Sequence, residues 1–319
     1  MNPPPTFTPT ISPRIVVVGS INMDQVVRCE TLPAAGETII AHGTEQICGG
    51  KGANQAVAAS RAGGETSMVG RVGDDAVGGR MVDNLNRHGV QTDHIARTAN
   101  TTSGLAIVAV DDGGQNSIMV VSGANACVTA EDVVAASDRI AAADVVLMQF
   151  EIPVATVQAA ITICRRVGTT VVLDPAPVPA DIPDAIFKVD MMCPNQHEAT
   201  RITGIDIVSV DDATAAANEL HRRGPRNVAI TMGERGTLLS TGDRIDHVPA
   251  PPITAVDTTA AGDAFAGALA VRWAETDDWS EAVRFASAAG AIAATRPGAQ
   301  TSLPDRREIQ SVFEHHLMG

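Results

Sequence analysis

The alternation of short β-branched runs with longer helical segments is the feature that most constrains how this chain folds. Residues 15–18 are Ile-Val-Val-Val and end at Gly19-Ser20, as at the end of a buried strand. This order predicts an α/β fold with a doubly wound, mostly parallel sheet flanked by helices. We predict strands at 15–18, 66–69, 145–149, 170–173, 191–193 and 228–232, a hairpin of 238–240 with 244–248, helices at 52–62, 76–88, 130–142, 154–166 and 211–223, and further helices beginning near 195, 260 and 280.

Two stretches, 23–48 and 101–124, interrupt the alternation because both are strand-like and contain no predicted helix. The second holds strands 104–110 and 117–121 on either side of Asp111-Asp112-Gly113-Gly114, which predicts a hairpin. We expect the two stretches to form a small β-sheet lid that projects from the main sheet. Residues 1–14, rich in Pro and Thr, are predicted to be a flexible tail, and 15–319 to form one domain.

Charge and cysteine content exclude several kinds of protein. The formal net charge of −14 repels phosphate backbones and anionic lipid, so we expect neither a nucleic-acid nor a membrane partner. The five cysteines are widely spaced and form no Cys-x-x-Cys pair, which argues against a disulfide scaffold and a zinc site. Because no apolar run approaches the roughly 18 residues of a membrane span, we expect a cytoplasmic protein.

The segment Asp257-Thr258-Thr259-Ala260-Ala261-Gly262-Asp263 is the strongest indication of chemistry. Its small residues let a ligand approach the N–H groups at the start of the predicted helix, which favours an anion site. A carboxylate is unexpected at a site that only holds an anion. It suits a base that accepts a proton from a hydroxyl beside a phosphoryl group. The alternative is that Asp263 only caps the helix.

A second glycine-rich loop, Gly49-Gly50-Lys51-Gly52-Ala53-Asn54, leads into the first predicted helix. It differs from a Walker A loop because residue 45 is Glu instead of Gly, and Gly52 replaces the Ser or Thr that holds magnesium. Its backbone and the Asn54 amide suit a polyhydroxy ligand, and a tight turn is the alternative.

Other polar residues directly follow predicted strands, at the sheet edge where ligands of open α/β folds collect. Asn22 and Asp24 follow the first strand, and Glu151 follows 145–149. Asn195 and Glu198, three residues apart on one helix face, follow 191–193, and the segment 231–236 follows 228–232. Turn formation accounts for any one of them, but their common position predicts a single site. No Gly-x-Gly-x-x-Gly follows the first strand, which argues against a nicotinamide-dependent oxidoreductase.

Three motifs resemble those of the ribokinases, a branch of the PfkB family of carbohydrate kinases. They are Gly-Ser-Ile-Asn-Met-Asp at 19–24, Gly-Gly-Lys-Gly-Ala-Asn-Gln-Ala at 49–56, and the segment 257–263. The resemblance extends from about residue 15 to 303. It implies a doubly wound sheet with a β lid, phosphorylation of D-ribose at its 5-hydroxyl by ATP, Mg²⁺ and K⁺ as cofactors, and a homodimer formed through the lid.

The resemblance also implies roles for individual residues. Asp263 matches the general base, and Ala260, Ala261 and Gly262 match an anion hole for the transferring phosphoryl group. Sugar-binding positions are matched by Asn22, Asp24, Gly49, Gly50, Lys51, Asn54, Glu151 and Asp263, nucleotide positions by Asn195, Thr231, Gly233, Glu234, Gly236, Gly262 and Ser287, K⁺ positions by Asp257, Thr259, Ala293, Arg296, Gly298 and Ser302, and a Mg²⁺ position, bound through water, by Glu198.

Other substrates remain open. 2-Deoxyribose differs from ribose by one hydroxyl, and other sugars of the family undergo the same chemistry. A sugar acid needs a cation that Asn22, Asp24, Asn54 and Glu151 do not provide, and a nucleoside needs aromatic walls, which a chain with six Phe, two Trp and no Tyr can hardly build. The alternative from a different class is a non-catalytic sugar or nucleotide sensor, although a sensor does not need the carboxylate of Asp263.

Overall fold

A computed structural model describes residues 12–316, so most of the predicted tail, 1–14, lies outside the described residues. The first strand already begins at Arg14. The strands are β1 (Arg14–Val18), β2 (Asn22–Cys29), β3 (Gly43–Gly49), β4 (Glu65–Gly73), β5 (Gln91–Thr98), β6 (Gly104–Asp111), β7 (Asn116–Val121), β8 (Val145–Met148), β9 (Thr170–Leu173), β10 (Met191–Met192), β11 (Asn227–Thr231), β12 (Thr237–Ser240) and β13 (Ile245–Val248). The helices are α1 (Lys51–Arg61), α2 (Ala76–Arg87), α3 (Ala130–Ala135), α4 (Ser137–Ala142), α5 (Val154–Val167), α6 (Gln196–Thr203), α7 (Val210–Arg223), α8 (Ala261–Thr276), α9 (Trp279–Ala294) and α10 (Arg306–His316).

The main sheet has the strand order β13-β12-β11-β10-β9-β8-β1-β4-β5. The pairings from β11 to β5 are parallel, and only the pairings of β12 with β11 and with β13 are antiparallel. Helices cover both faces of this sheet. The predicted doubly wound, mostly parallel architecture is therefore confirmed.

The first strand, β1, is apolar at residues 15–18 because helices cover both of its faces. Successive side chains of a strand point to opposite faces, so Ile15 and Val17 pack into the core formed with α1, α8 and α9, whereas Val16 and Val18 pack into the core formed with α5. All four side chains are almost completely buried. A strand covered by helices on both faces has no position left for a polar side chain.

A second sheet of four strands has the order β3-β2-β6-β7. The strand β2 pairs antiparallel with β3 and parallel with β6, and β6 pairs antiparallel with β7. These strands come from the two stretches that interrupt the alternation, so the predicted small separate sheet is confirmed. Asn22, expected just beyond the first strand, is the first residue of β2 and pairs with both Gly49 and Gly104.

Three elements differ from the sequence prediction. The helix predicted at 130–142 is broken into α3 and α4 at Ala136, whose N–H bonds to the carbonyl of Val133, only three residues back. The strand β5 was not predicted, because it is an edge strand with no fully buried residue. The helix α10 was not predicted either, because it buries only Ile309 and Phe313. Within residues 12–316, no helix is long and apolar enough to cross a bilayer.

Candidate active site

The two glycine-containing turns after β1 and before α1 press against each other. A Cβ atom at Gly52 would lie 2.5 Å from the backbone nitrogen of Ser20, closer than real Cβ contacts allow. Gly50 has a φ of +89°, and a Cβ there would lie 2.6 Å from the nitrogen of Asn22. Only glycine permits this approach, which brings the start of α1 to the carboxyl end of β1.

Asp263 lies in the first turn of α8 and is 3% exposed. Its Oδ2 accepts a hydrogen bond from Asn54 Nδ2 at 2.9 Å, and its Oδ1 accepts one from Gln55 Nε2 at 3.1 Å. The helix begins after Ala260, which makes no side-chain capping bond. The alternative that Asp263 merely caps the helix is therefore wrong, because its carboxylate faces α1.

The charge state of Asp263 is set by opposing influences. Burial raises its pKa above the ordinary value, and the ammonium of Lys51 and the hydrogen bonds from Asn54 and Gln55 offset only part of that rise. Burial alone would lower the pKa of Lys51, but the carboxylates of Asp174 and Asp263 outweigh burial, so the pKa of Lys51 lies above its ordinary value. A charged Lys51 beside the carboxylate favours the ionised form of Asp263, which a base requires.

Asp174 completes this buried group. Its Oδ2 lies 4.0 Å from Lys51 Nζ and accepts a hydrogen bond of 2.8 Å from Gln55 Nε2. Burial raises the pKa of Asp174, and Lys51 opposes that rise. Gln55 therefore donates to two carboxylates through one amide group, and its own Oε1 accepts a hydrogen bond of 2.5 Å from Gln149 Nε2.

The residues expected to bind sugar gather on the small-sheet side of Asp263. Glu151 Oε2 accepts hydrogen bonds from Ser20 Oγ at 2.6 Å and from the backbone N–H of Lys51 at 3.1 Å. Asn22 Oδ1 accepts a hydrogen bond of 2.6 Å from Asn125 Nδ2. A Cβ at Gly49 would lie 2.2 Å from Asp24 Oδ2, so a side chain at this position would displace the Asp24 carboxyl group.

Asp24 has an unusual carboxyl group within this set. Burial, followed by the negative charges of Glu151 and Asp263, raises its pKa from 3.8 to about 7. Glu151 and Asp263 act on Asp24 through space, so the three carboxyl groups share one region. Such a concentration of carboxyl groups is typical of a functional site.

The start of α8 has the features of an anion site. Within residues 12–316 the N–H groups of Ala260 and Gly262 donate to no acceptor, and that of Ala261 donates to the carbonyl of Thr258 at 3.2 Å. A Cβ at Gly262 would meet no atom within 4 Å, so open space lies in front of this turn. An α-helix attracts negative charge at such an end.

A cavity of about 450 Å³ adjoins the start of α8. Among its lining residues are the predicted nucleotide positions Thr231, Gly233, Glu234, Gly236, Gly262 and Ser287. The remaining walls are mostly apolar and include Pro251, Ile253 and Phe265. A cavity with apolar walls and a few polar groups suits a flat heteroaromatic ring.

Asn195 and Glu198 lie beside this cavity without lining it. Asn195 forms a β-bridge with Thr231, and its Oδ1 accepts a hydrogen bond of 2.9 Å from the N–H of Glu198. Glu198 Oε2 in turn accepts a hydrogen bond of 2.8 Å from the Asn195 N–H, so the pair forms a capping box at α6. No cluster of three potential metal-ligating side chains occurs in the described part of the chain.

The residues expected to bind K⁺ lie on the loop before α8, at the end of α9 and on the loop that follows α9, and Asp257 joins the two loops. Its Oδ1 accepts a hydrogen bond of 3.0 Å from the N–H of Thr259, and its Oδ2 accepts one of 2.9 Å from the N–H of Gly298. The Arg296 side chain pairs with Glu308, whereas the hydroxyl of Ser302 and the carbonyl of Ala293 take part in local hydrogen bonds. Among the described residues, no donor bonds to the carbonyl of Thr259, Arg296 or Gly298. Carbonyl oxygens without a donor are the kind of ligand that hard cations prefer in proteins.

Comparison with known proteins identifies the family. The model of the pfkB family carbohydrate kinases matches residues 12–306. The chain belongs to the PfkB family of carbohydrate kinases. It is 38% identical over 299 residues to the ribokinase of Bacillus subtilis, covering 94% of this chain and 99% of that protein. It is 35% identical over 291 residues to the deoxyribokinase of Salmonella typhi, covering 91% and 95%.

A solved structure of Arabidopsis thaliana ribokinase, complexed with ribose and ATP, superimposes on this PfkB kinase with a TM-score of 0.87. The two chains are 33% identical, and the match covers 95% of this chain and 99% of the other. The fold and the family thus agree with what the three sequence motifs imply.

Sequence reasoning missed five polar residues of the site in this PfkB kinase. They are Ser20, Gln55, Asn125, Gln149 and Asp174. The first three hydrogen-bond to the predicted residues Glu151, Asp263 and Asn22, respectively, whereas Asp174 pairs with Lys51 and Gln149 holds Gln55. Gln149 and Asp174 directly follow β8 and β9, so the rule that located Glu151 applies to them as well. Asn125 had no such indication, because it lies in a short turn after β7.

Proposed function

We propose that this PfkB kinase transfers the terminal phosphoryl group of ATP to the 5-hydroxyl of D-ribose, giving ribose 5-phosphate and ADP. The observation that carries this proposal is the position of Asp263. Its buried carboxylate lies between the polar residues next to the small sheet and the cavity that Gly262 lines. A base in that position serves a reaction between a polyhydroxy ligand and a nucleotide.

A buried oxygen of Asn54 supports a polar ligand on the sugar side. Asn54 uses its Nδ2 to hold Asp263, but its Oδ1 has no hydrogen-bond partner among the described residues. A buried acceptor without a partner is costly, and a sugar hydroxyl would donate to it. Asp24, Asn22 and Glu151 offer further acceptors for the other hydroxyls, with the small sheet as the lid over them.

The proposed chemistry follows from this arrangement. The 5-hydroxyl of ribose gives its proton to Asp263 while its oxygen forms a bond to the terminal phosphorus. The bond between that phosphorus and the bridging oxygen of ADP breaks, and ADP leaves with the electron pair. Negative charge grows on the transferring oxygens, and the N–H groups of Ala260 and Gly262, which have no acceptor within residues 12–316, are the donors available to it at the helix start.

The residues present suit the two expected cations. Mg²⁺ would neutralise charge on the phosphates of ATP. Because the described residues contain no three-ligand cluster, ATP and water would provide most ligands, and Glu198 would act through water. K⁺ would lie against the carbonyls of Thr259, Arg296 and Gly298 and would fix the loop that precedes α8. Asp257 already ties the two loops together, which would help to keep the anion hole in place.

A homodimer formed through the small sheet is part of the proposal. The strand β7 exposes Ile118, Met119, Val120 and Val121, each between 49% and 60%. Four consecutive exposed apolar residues are a candidate association surface. We expect light scattering to give twice the monomer mass for the wild type and the monomer mass for Met119→Asp, whereas a monomeric wild type would contradict the dimer.

All five cysteines are free thiols, which supports a cytoplasmic location.

2-Deoxyribose is the second candidate substrate. The deoxyribokinase of Salmonella typhi is about as similar to this chain as the ribokinases, at 35% identity compared with 38% for the Bacillus subtilis protein. The ratio of kcat/KM for the two sugars decides between them. A higher kcat/KM for 2-deoxyribose would leave the proposed phosphoryl transfer unchanged and would make 2-deoxyribose the preferred substrate.

The role of Asp263 is tested with Asp263→Asn, which keeps the shape of the side chain and removes the base. We expect kcat to fall by at least about 10²-fold, with ATP binding unchanged in calorimetry. Asp181→Asn is the matched control, since Asp181 is exposed and its side chain forms no hydrogen bond or ion pair within residues 12–316. Near-normal turnover of Asp263→Asn would contradict the assignment of the base.

A further inference from the structure

A second cavity, of about 860 Å³, lies apart from the proposed active site. Arg61 of α1 and Arg80 and Arg87 of α2 line it, together with residues 45–48 of β3 and residues 300–301. We call it the arginine pocket. None of the residues assigned to the sugar, the nucleotide or the cations lines it.

The three arginines carry positive charge without a carboxylate partner. Among the described residues, no carboxylate oxygen lies within 4.0 Å of their guanidinium groups. Arg80 donates to Gln46 Oε1 at 2.7 Å, Arg87 donates to Asn84 Oδ1 at 3.4 Å, and Arg61 donates to the carbonyl of Leu303. Each guanidinium has five N–H groups, so donors remain available.

Such a pocket is unexpected in a chain with a net charge of −14. Glu45 and Asp83 also line it, so its three arginines outnumber its carboxylates by one. Two half-buried residues at the pocket are each affected by two of the arginines. The pKa of His88 is lowered by burial, then by Arg61 and Arg87, whereas the pKa of Cys48 is raised by burial against the opposing effect of Arg80 and Arg87. Arg87 therefore shares its surroundings with both other arginines.

A buried amide at the pocket lacks an acceptor. Gln300 is 4% exposed, and its Oε1 accepts a hydrogen bond of 2.6 Å from Asn84 Nδ2. Its Nε2 has no partner among the described residues. Buried donors are normally satisfied, so this amide indicates a missing acceptor at the pocket wall.

We propose that the arginine pocket binds a small phosphoester, either a sugar phosphate or a nucleoside monophosphate, at a site separate from catalysis. Guanidinium groups bind phosphate oxygens through paired N–H donors, and Gln300 Nε2 would donate to the same anion. The volume fits a ligand of this size and exceeds what inorganic phosphate needs.

The walls of the pocket suggest that its ligand is an effector. The strand β3 ends at Cys48 and Gly49, directly before the loop assigned to sugar, and Gln300 and Thr301 lie between the K⁺ positions Gly298 and Ser302. A ligand in contact with both walls restrains two segments that border the active site. We expect an occupied pocket to change the KM for sugar, which is a coupling between two sites.

The test is calorimetric binding with the active site first filled by ribose and a non-hydrolysable ATP analogue. The probes are AMP, ribose 5-phosphate and inorganic phosphate, each titrated into wild type, R80Q/R87Q and R165Q/R166Q. The last variant is the matched control, because Arg165 and Arg166 are exposed on α5, whose core lies on the opposite face of the sheet from that of α1 and α2. Circular dichroism and thermal melting verify that R80Q/R87Q, altered only at exposed side chains, is folded.

We expect AMP or ribose 5-phosphate to bind wild type and R165Q/R166Q alike, and to bind R80Q/R87Q at least about tenfold more weakly. The proposal is overturned if neither ester binds wild type, if R80Q/R87Q binds as the control does, or if inorganic phosphate alone binds. Binding is measured without turnover. The result for this pocket therefore does not depend on whether the protein phosphorylates ribose.

Discussion

Replacing Gln55 with methionine tests whether the amide group, and not only the packing, sets the properties of Asp263. Methionine has a similar length and is compatible with the helix α1, but it has no N–H group. The wild-type amide is completely buried and donates to Asp263 Oδ1 at 3.1 Å and to Asp174 Oδ2 at 2.8 Å. Gln55→Met removes both donors and leaves Gln149 Nε2 without its acceptor.

The expected magnitudes follow from these contacts. A hydrogen bond to a charged group contributes about 1.5–3 kcal/mol, so at the low end of this range loss of the bond to ionised Asp263 raises its pKa by roughly one unit. The direction agrees with the structure, in which the Gln55 hydrogen bond lowers the pKa of Asp263 against the effect of burial. Loss of both bonds and the unsatisfied Gln149 amide should lower the free energy of unfolding by about 4 kcal/mol, taking the low end of each range.

The assay is the pH profile of kcat/KM for sugar, measured beside urea unfolding. Since Asp263 must be ionised to accept a proton, a higher pKa moves the acidic limb of the profile to higher pH by about one unit. Gln158→Met is the matched control, because Gln158 lies on α5, against the opposite face of the sheet. An unshifted acidic limb in a folded Gln55→Met variant would refute the reasoning, since loss of packing alone leaves the pKa of Asp263 in place.

Two further predictions concern single residues of the site. Because the pKa of folded Asp24 is raised from 3.8 to about 7, folding takes up a proton between these values, and this contribution to stability is lost as the pH rises toward 7. Asp24→Asn should therefore melt at a higher temperature than wild type above pH 7 and at the same temperature near pH 4. The exposed control Asp181→Asn should show no such trend. A difference in melting temperature that stays constant across the pH range would contradict the raised pKa of Asp24. Gly262→Val places a side chain in the open space before α8, so the variant should fold normally. The added side chain should lower kcat/KM for ATP by about 10²-fold, because it occupies the space proposed for the phosphoryl group. Unchanged kinetics would show that the phosphoryl group lies elsewhere.

Much of the fold could be predicted because its cause is local. A buried strand such as Ile15-Val16-Val17-Val18 needs apolar residues at every position, and this pattern is visible in the sequence. The edge strand β5 and the surface helix α10 bury little, so their sequences are polar and carry no clear period. The break at Ala136 depends on how α3 and α4 pack, which a local pattern does not contain.

The candidate site, like the fold, could be predicted only in part from the sequence. Asn54 and Asp263 were each predicted from a motif, but their hydrogen bond joins residues 209 positions apart and follows only from the packing of α1 against α8. The carboxyl ends of the strands indicated where ligands collect, which placed Glu151 correctly beside the glycine-rich loop. Two donors became visible only once the strands and helices were assembled: Gln55, which donates to Asp263, and Asn125, which donates to Asn22.

The most direct test of the central claim is ATP turnover by the purified protein with ribose, 2-deoxyribose and fructose, each with and without potassium. We predict ADP formation that depends on ribose, increases with potassium and yields ribose 5-phosphate. A protein that binds ribose and ATP but forms no ADP with any sugar would contradict the claim and would identify the chain as a sensor.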